Sequence, residues 1–165
     1  KWPTNYKIDF FVFNTIKDTK EEIKKNILFD GNEKIEISTI KPLCWKNLKG
    51  ETLSLEKMYR LATKYNVTQK NKLYAVAGIG YPEKFFSTLK KLNIDFDTLI
   101  FENHDRNFED HLAIYLKNET KLILTTEKDA IRLTWKENPL FKNLWILEIT
   151  SDLPETFTKE FVKWV

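Results

Sequence analysis

Cysteine occurs once, at Cys44, so no internal disulfide can form. With Leu43 and Trp45 on either side, this thiol reads as a packed side chain in a protein of a reducing compartment. Histidine occurs only at His104 and His111. Two histidines and one cysteine make a metal cluster an unexpected feature. The glycines are Gly31, Gly50, Gly78 and Gly80, and none falls in a Gly-x-x-x-x-Gly-Lys-Ser/Thr arrangement. A phosphate loop of that kind therefore cannot form from this chain. No apolar run approaches the ~20 residues that a membrane-spanning helix needs, and no signal-peptide pattern is present. The chain opens at Lys1-Trp2-Pro3 rather than at a methionine, as a fragment would. Neither sign dominates: the net charge is +3, with acidic and basic residues interspersed. That argues against a nucleic-acid partner, whose surface would need clustered cations. It leaves room for a weak attraction to anionic membrane surfaces.

What is present is core-forming material. Hydrophobic residues make up 42% and charged residues 31%, with 12 Phe, 5 Trp and 6 Tyr in 165 residues. This composition and length fit one globular domain. Ile8 to Phe13 reads as a buried strand. Thr19 to Glu22 has capping-box form and opens a helix to about Phe29, stopped by Asp30-Gly31-Asn32. Lys34 to Ile40 suggests a strand, and Pro42 to Gly50 reads as irregular. A helix begins at Ser54, with Leu55, Met58, Leu61 and Ala62 on one face. Leu73 to Ala77 is a strand, and Pro82 opens a helix with a Phe85, Phe86, Leu89, Leu92 stripe. Phe96 to Phe101 reads as a central strand, and Asn107 precedes a helix carrying Phe108, Leu112, Tyr115 and Leu116. Lys121 to Thr125 is a strand, and Thr126 caps the next helix. Leu144 to Ile149 is a strand, and Pro154 opens a last helix through Phe157, Phe161 and Trp164. Continuous apolar strands alternating with amphipathic helices predict an α/β fold, a mostly parallel sheet with helices on both faces.

In such sheets, function gathers at the C-terminal ends of the strands. Those ends carry Gly78-Ile79-Gly80, Glu102-Asn103-His104-Asp105 and Thr125-Thr126-Glu127-Lys128-Asp129. The glycines permit either a close backbone approach to a phosphate or a tight turn that packs helix on strand. The dinucleotide fingerprint requires Gly or Ala three positions past the second glycine, and Glu83 stands there. His104 can orient a carboxylate or relay a proton, or can bond a neighbouring turn. His111, one turn into a helix, reads as a partly buried structural residue. Thr126 and Asp129 fit a capping box, while Lys128 could neutralise a phosphate and Asp129 could hold a hydroxyl.

These segments together resemble a known family. Ala75 to Phe86 is similar to the Ala-Gly-Ile-Gly-Asn-Pro-x-x-Phe-Phe signature of tetraacyldisaccharide 4′-kinases. Phe101-Glu102-Asn103-His104-Asp105 resembles that family's Asp-His segment, and Thr126 to Ala130 resembles its Thr-Glu-Lys-Asp-Ala run. Order and spacing agree over nearly the whole chain, most sharply from Ala75 to Arg132. Tyr81, Asn103 and Asp105 depart from the pattern, which usually has Asn, Asp, and His or Tyr there.

The resemblance implies a lipid kinase that moves the γ-phosphate of ATP to the 4′-hydroxyl of a tetraacyldisaccharide 1-phosphate in lipid A assembly. It implies two α/β domains, of which residues 1–165 are the C-terminal one. The N-terminal P-loop domain is absent from this chain and would bind ATP and Mg²⁺. By motif position His104 supports that domain's catalytic aspartate, and Gly78, Gly80, Thr126, Glu127, Lys128 and Asp129 line the cleft. Implied partners are the N-terminal domain, the lipid A precursor disaccharide and the cytoplasmic face of the bacterial inner membrane. The competing readings are a free-standing nucleotide- or dinucleotide-binding Rossmann-like domain and an interaction module without a small-molecule site. The Glu83 mismatch speaks against the former, and the polar residues gathered at three strand ends speak against the latter.

Overall fold

The computed structural model describes residues 10–14, 34–67, 73–103, 105–116, 121–133 and 138–164. The helix predicted over Thr19 to Phe29 lies outside them. The chain divides into two compact units, one of residues 1–41 with 150–165 and one of residues 42–149. Two strands, β2 (Lys34–Asn47) and β7 (Leu144–Asp152), contribute residues to both units.

In the first unit β1 (Phe10–Asn14) pairs in parallel with β2, from Phe10 beside Lys34 to Asn14 beside Ser38. The helix predicted after Pro154 forms as Glu155–Phe161. It is tied to β2 where the Thr156 hydroxyl donates to the buried Glu36 carboxylate at 3.0 Å.

The second unit shows why its strands read as unbroken apolar runs. β4 (Leu73–Ala77) is buried along its whole length, and its side chains alternate between two cores. Leu73, Ala75 and Ala77 face α1 (Leu55–Val67) and α2 (Glu83–Lys91), meeting Met58, Ala62, Phe85, Phe86 and Leu89. Tyr74 and Val76 point the other way, toward Phe108, Leu112 and Leu116 of α3 (Phe108–Leu116). A strand covered on both faces cannot display the in–out alternation of a half-exposed one. β6 (Leu122–Thr126) repeats the arrangement, with Leu122 and Leu124 in one core and Ile123 in the other. The predicted layers are thus present: a mostly parallel sheet with helices on both faces.

The strand order in this unit is β2, β7, β6, β4, β5, where β5 is Asp97–Ile100, and β4 pairs in parallel with both β6 and β5. A two-residue strand, β3 (Thr52–Leu53), pairs antiparallel with β2. From β4 the chain moves outward to β5, then returns past β4 to β6. That reversal makes the gap between the ends of β4 and β6 the topological switch point, the place where open α/β sheets carry ligand sites.

Two expectations need correction. The stretch read as irregular is largely strand, because β2 runs on to Asn47, with Trp45 and Asn47 buried and Lys46 outside. Pro42 and the flanking lysines hide this period of two. β5 is an edge strand rather than a central one, with Asp97, Thr98 and Ile100 exposed. The apolar residues that suggested burial lie at its ends: Phe96 packs on one core and Phe101 on the other. Among the described residues no helix is long and apolar enough to cross a membrane.

Candidate functional site

All the signature segments lie in the second unit, at the C-terminal ends of β4, β5 and β6. Gly78 follows β4 directly, and Thr126 ends β6 and caps α4 (Glu127–Ala130). The Thr126 hydroxyl accepts the Asp129 N–H at 3.1 Å and donates to the Asp129 carboxylate at 2.8 Å. The capping reading of this pair therefore holds. Asp129 also reaches across the switch point, where its carboxylate accepts the Gly78 N–H at 3.2 Å.

Arg132 completes the arrangement. It follows Asp129 by three residues, so their side chains share one side of a helical turn. Its Nη2 donates to Asp129 Oδ1 at 2.5 Å and to the Gly78 carbonyl at 3.3 Å. The guanidinium carbon lies 4.2 Å from the centre of the Phe108 ring, a cation–π contact. Phe108 in turn meets Phe101 edge to face at 5.1 Å. Asp129 is fully buried and Arg132 largely so. A carboxylate removed from water needs such partners, and here it has the Gly78 N–H, the Thr126 hydroxyl and the guanidinium.

This network explains Gly78. A Cβ built there would collide with the Arg132 guanidinium. Gly80 is exposed, and a Cβ there would come 3.3 Å from the Asn103 side-chain nitrogen. The Ala75–Phe86 segment and the segment after β5 therefore meet at Gly80 and Asn103. Gly50 differs: nothing lies within 4 Å of its Cβ position, but its φ is +87°. Gly78→Val should accordingly lower the melting temperature more than Gly50→Val does. The first overpacks an ion pair, at about 1–3 kcal/mol plus part of the pair's own contribution. The second costs backbone strain of about 1–2 kcal/mol. Thermal unfolding of the two variants side by side checks the order.

The remaining predicted residues are placed as follows. Glu127 and Lys128 are exposed on α4. Glu127 borders an open cavity of about 560 Å³, shared with Lys46, Lys49, Ile131, Ile146 and Glu148. His104 lies outside the described residues. His111 is an exposed residue where a partly buried one was expected, and its Nδ1 is 2.8 Å from Asp105 Oδ2. Asp105 also accepts the Asn107 N–H at 2.9 Å. Its carboxyl is held below the ordinary carboxylate value, chiefly by the His111 hydrogen bond and then by the Asn107 N–H.

A depressed carboxylate contributes stability above its ordinary pKa and loses it as pH falls through the lower, folded value. The stability that wild type has over Asp105→Asn should therefore shrink as the pH falls below about 4. Unfolding midpoints measured from pH 6 down to pH 2 check this. Cys44 donates its thiol to Glu148 at 3.3 Å, and this bond, aided by burial, raises its pKa. The side chain is half-buried and belongs to neither core, and a raised pKa leaves less of the reactive thiolate.

Sequence reasoning did not single out Arg132. The available signal was an arginine one turn after a capping aspartate. Among the described residues no group of three or more His, Cys, Asp and Glu side chains could hold a metal ion. The sequence contains no Gly-x-x-x-x-Gly-Lys-Ser/Thr phosphate loop.

The strand order and the buried ion pair define an α/β domain of the doubly wound class, its switch point closed by its own side chains. The Gly78 N–H, the donor that a glycine turn would offer a pyrophosphate, is already taken by the buried Asp129 carboxylate, which disfavours a free-standing dinucleotide-binding domain. The family model of LpxK, the tetraacyldisaccharide-1-P 4′-kinase, matches residues 2–165. The chain belongs to this family. It is 37% identical over 89 residues to the tetraacyldisaccharide 4′-kinase of Hydrogenovibrio crunogenus, covering 54% of this chain and 25% of that protein. With the tetraacyldisaccharide 4′-kinase of Ruthia magnifica it shares 36% identity over 93 residues, 53% of this chain and 26% of that protein. The chain thus spans about a quarter of the curated relatives it matches. In fold it resembles LpxK of Aquifex aeolicus, solved in complex with ATP. The TM-score is 0.50 and the identity 20%, over 94% of this chain and 42% of that one.

Proposed function

We propose that this chain is the C-terminal α/β part of a two-domain lipid kinase that phosphorylates the 4′-hydroxyl of a tetraacyldisaccharide 1-phosphate, a lipid A precursor. The observation that carries the proposal is the family match over residues 2–165. The gathering of the Gly78, Asn103 and Thr126 segments at one sheet edge supports it. ATP is the phosphoryl donor and, with Mg²⁺, is held by a P-loop domain outside these residues. Work takes place at the cytoplasmic face of the bacterial inner membrane.

Phosphoryl transfer depends on positioning and electrostatic stabilisation. A domain that closes over bound substrates contributes orientation and excludes water without holding the nucleotide itself. His104 is the residue of this chain assigned to the chemistry, supporting the partner domain's aspartate as it takes the hydroxyl proton. Gly78, Gly80 and Thr126 belong to the lining of the same cleft, where Glu127 and Lys128 present their side chains. Asp129 belongs to the same edge as the buried anchor that keeps these segments in register.

The division of labour has a direct test. The 165-residue chain should bind ATP–Mg²⁺ negligibly in calorimetry, whereas the full-length kinase should bind it. A dissociation constant in the low micromolar range for the isolated chain would contradict the assignment.

A further inference from the structure

We infer that Arg132 is a positioning residue of the proposed kinase, one that fixes both flanks of the segment carrying His104. The inference rests on the reading of His104 given above. Residues 102–107 follow β5, the edge strand, which is hydrogen-bonded to β4 alone and largely exposed. Its end is therefore the least supported of the motif-bearing strand ends. Its anchors are the Phe101 N–H, which donates to the Ala77 carbonyl at 3.0 Å, and the Phe101 ring against Phe108. Phe108 opens α3 on the far side of the same segment. Both flanks thus end in aromatic rings that touch each other, and the second ring lies under the Arg132 guanidinium.

Arg132 ties that pair of rings to the rigid centre of the sheet. Its other contacts are the Gly78 carbonyl, at the end of β4, and the Asp129 carboxylate, which is anchored on Thr126 at the end of β6. A planar guanidinium can lay its face on a ring while its edge meets a carboxylate and a carbonyl. Lysine offers a single ammonium and cannot do both. A methionine would fill the space over Phe108 but would connect it to nothing. Arg132 acts through Phe108 and Phe101, on either side of residues 102–107, and not on the reacting atoms.

The test is a double-mutant cycle in the full-length kinase, using wild type, His104→Ala, Arg132→Met and the double variant. Steady-state rates are read with saturating ATP and varied tetraacyldisaccharide 1-phosphate, and melting temperatures are taken in parallel. Misplacement alone should make Arg132→Met lower kcat roughly 10- to 100-fold with little change in KM. In the His104→Ala background the same change should cost less than about 2-fold, because the group it positions is gone. Arg132→Lys should fall between wild type and Arg132→Met. Should Arg132→Met fail to fold, Phe108→Leu takes its place, since it leaves the Asp129 ion pair intact and removes only the ring. Equal losses in both backgrounds, or an unchanged kcat in a folded Arg132→Met or Phe108→Leu enzyme, would overturn the inference while leaving His104 in place. An unchanged kcat for His104→Ala alone would overturn the His104 assignment and this inference with it.

Discussion

Asp129→Ala is expected to destabilise the second unit by about 3–5 kcal/mol, as removal of one partner from a buried, hydrogen-bonded ion pair typically does. The loss has identifiable parts. The Arg132 guanidinium, largely buried over Phe108, is left without its counter-charge. The Gly78 N–H loses its acceptor at the buried end of β4, and the Thr126 hydroxyl loses its acceptor at the start of α4. Asp129→Asn keeps an acceptor for Gly78 but not the charge, and should fall between wild type and Ala. The double variant Asp129→Ala, Arg132→Met should be more stable than Asp129→Ala alone, because the cost of a stranded buried charge exceeds the net contribution of the pair. Urea unfolding of the variants measures the differences. An Asp129→Ala protein within about 0.5 kcal/mol of wild type, the level of an ordinary surface substitution, would mean that the network does not hold the three strand ends together.

His104→Ala carries the largest expected effect on chemistry. In the full-length kinase it should lower kcat roughly 10- to 10³-fold, the range for loss of a group that orients a base. KM for the disaccharide should change less, because the imidazole is assigned to proton transfer and not to lipid binding. His111→Ala is the control. Its ring is half-exposed and engaged with Asp105, so kcat should stay near the wild-type value. The contrast is informative because both residues are histidines a few positions apart. A His111→Ala enzyme with the larger loss in kcat would transfer the assignment to the Asp105–His111 pair.

Much of this arrangement could be read from residue order alone, for physical reasons that vary by element. β4 and β6 were legible because strands covered on both faces leave unbroken apolar runs. α2 was legible from Pro82 and its Phe85, Phe86, Leu89 stripe, and α4 from the Thr126 cap. The gathering of the Gly78, Asn103 and Thr126 segments followed from the rule that parallel strands end at one edge. The role of Arg132 was hidden. Its bond to Gly78 spans 54 residues, and no local pattern pairs two such positions. The capping box also concealed that the Asp129 carboxylate faces inward, since capping needs only its N–H. The length of β2 was masked by Pro42, and the edge position of β5 by Phe96 and Phe101, whose rings are drawn into the cores on either side. His111 shows the same limit, because helical spacing places it near Phe108 without revealing that its ring turns outward to Asp105.

Transfer of labelled phosphate from ATP by the full-length protein is the most direct test of the kinase reading. With Mg²⁺ and tetraacyldisaccharide 1-phosphate, the expected product carries a new phosphate on the 4′-oxygen and keeps the one at position 1. Product formation should fall sharply in His104→Ala. Absence of any phosphorylated lipid from a folded, ATP-binding full-length protein, or phosphate delivered to a different hydroxyl, would contradict the assignment.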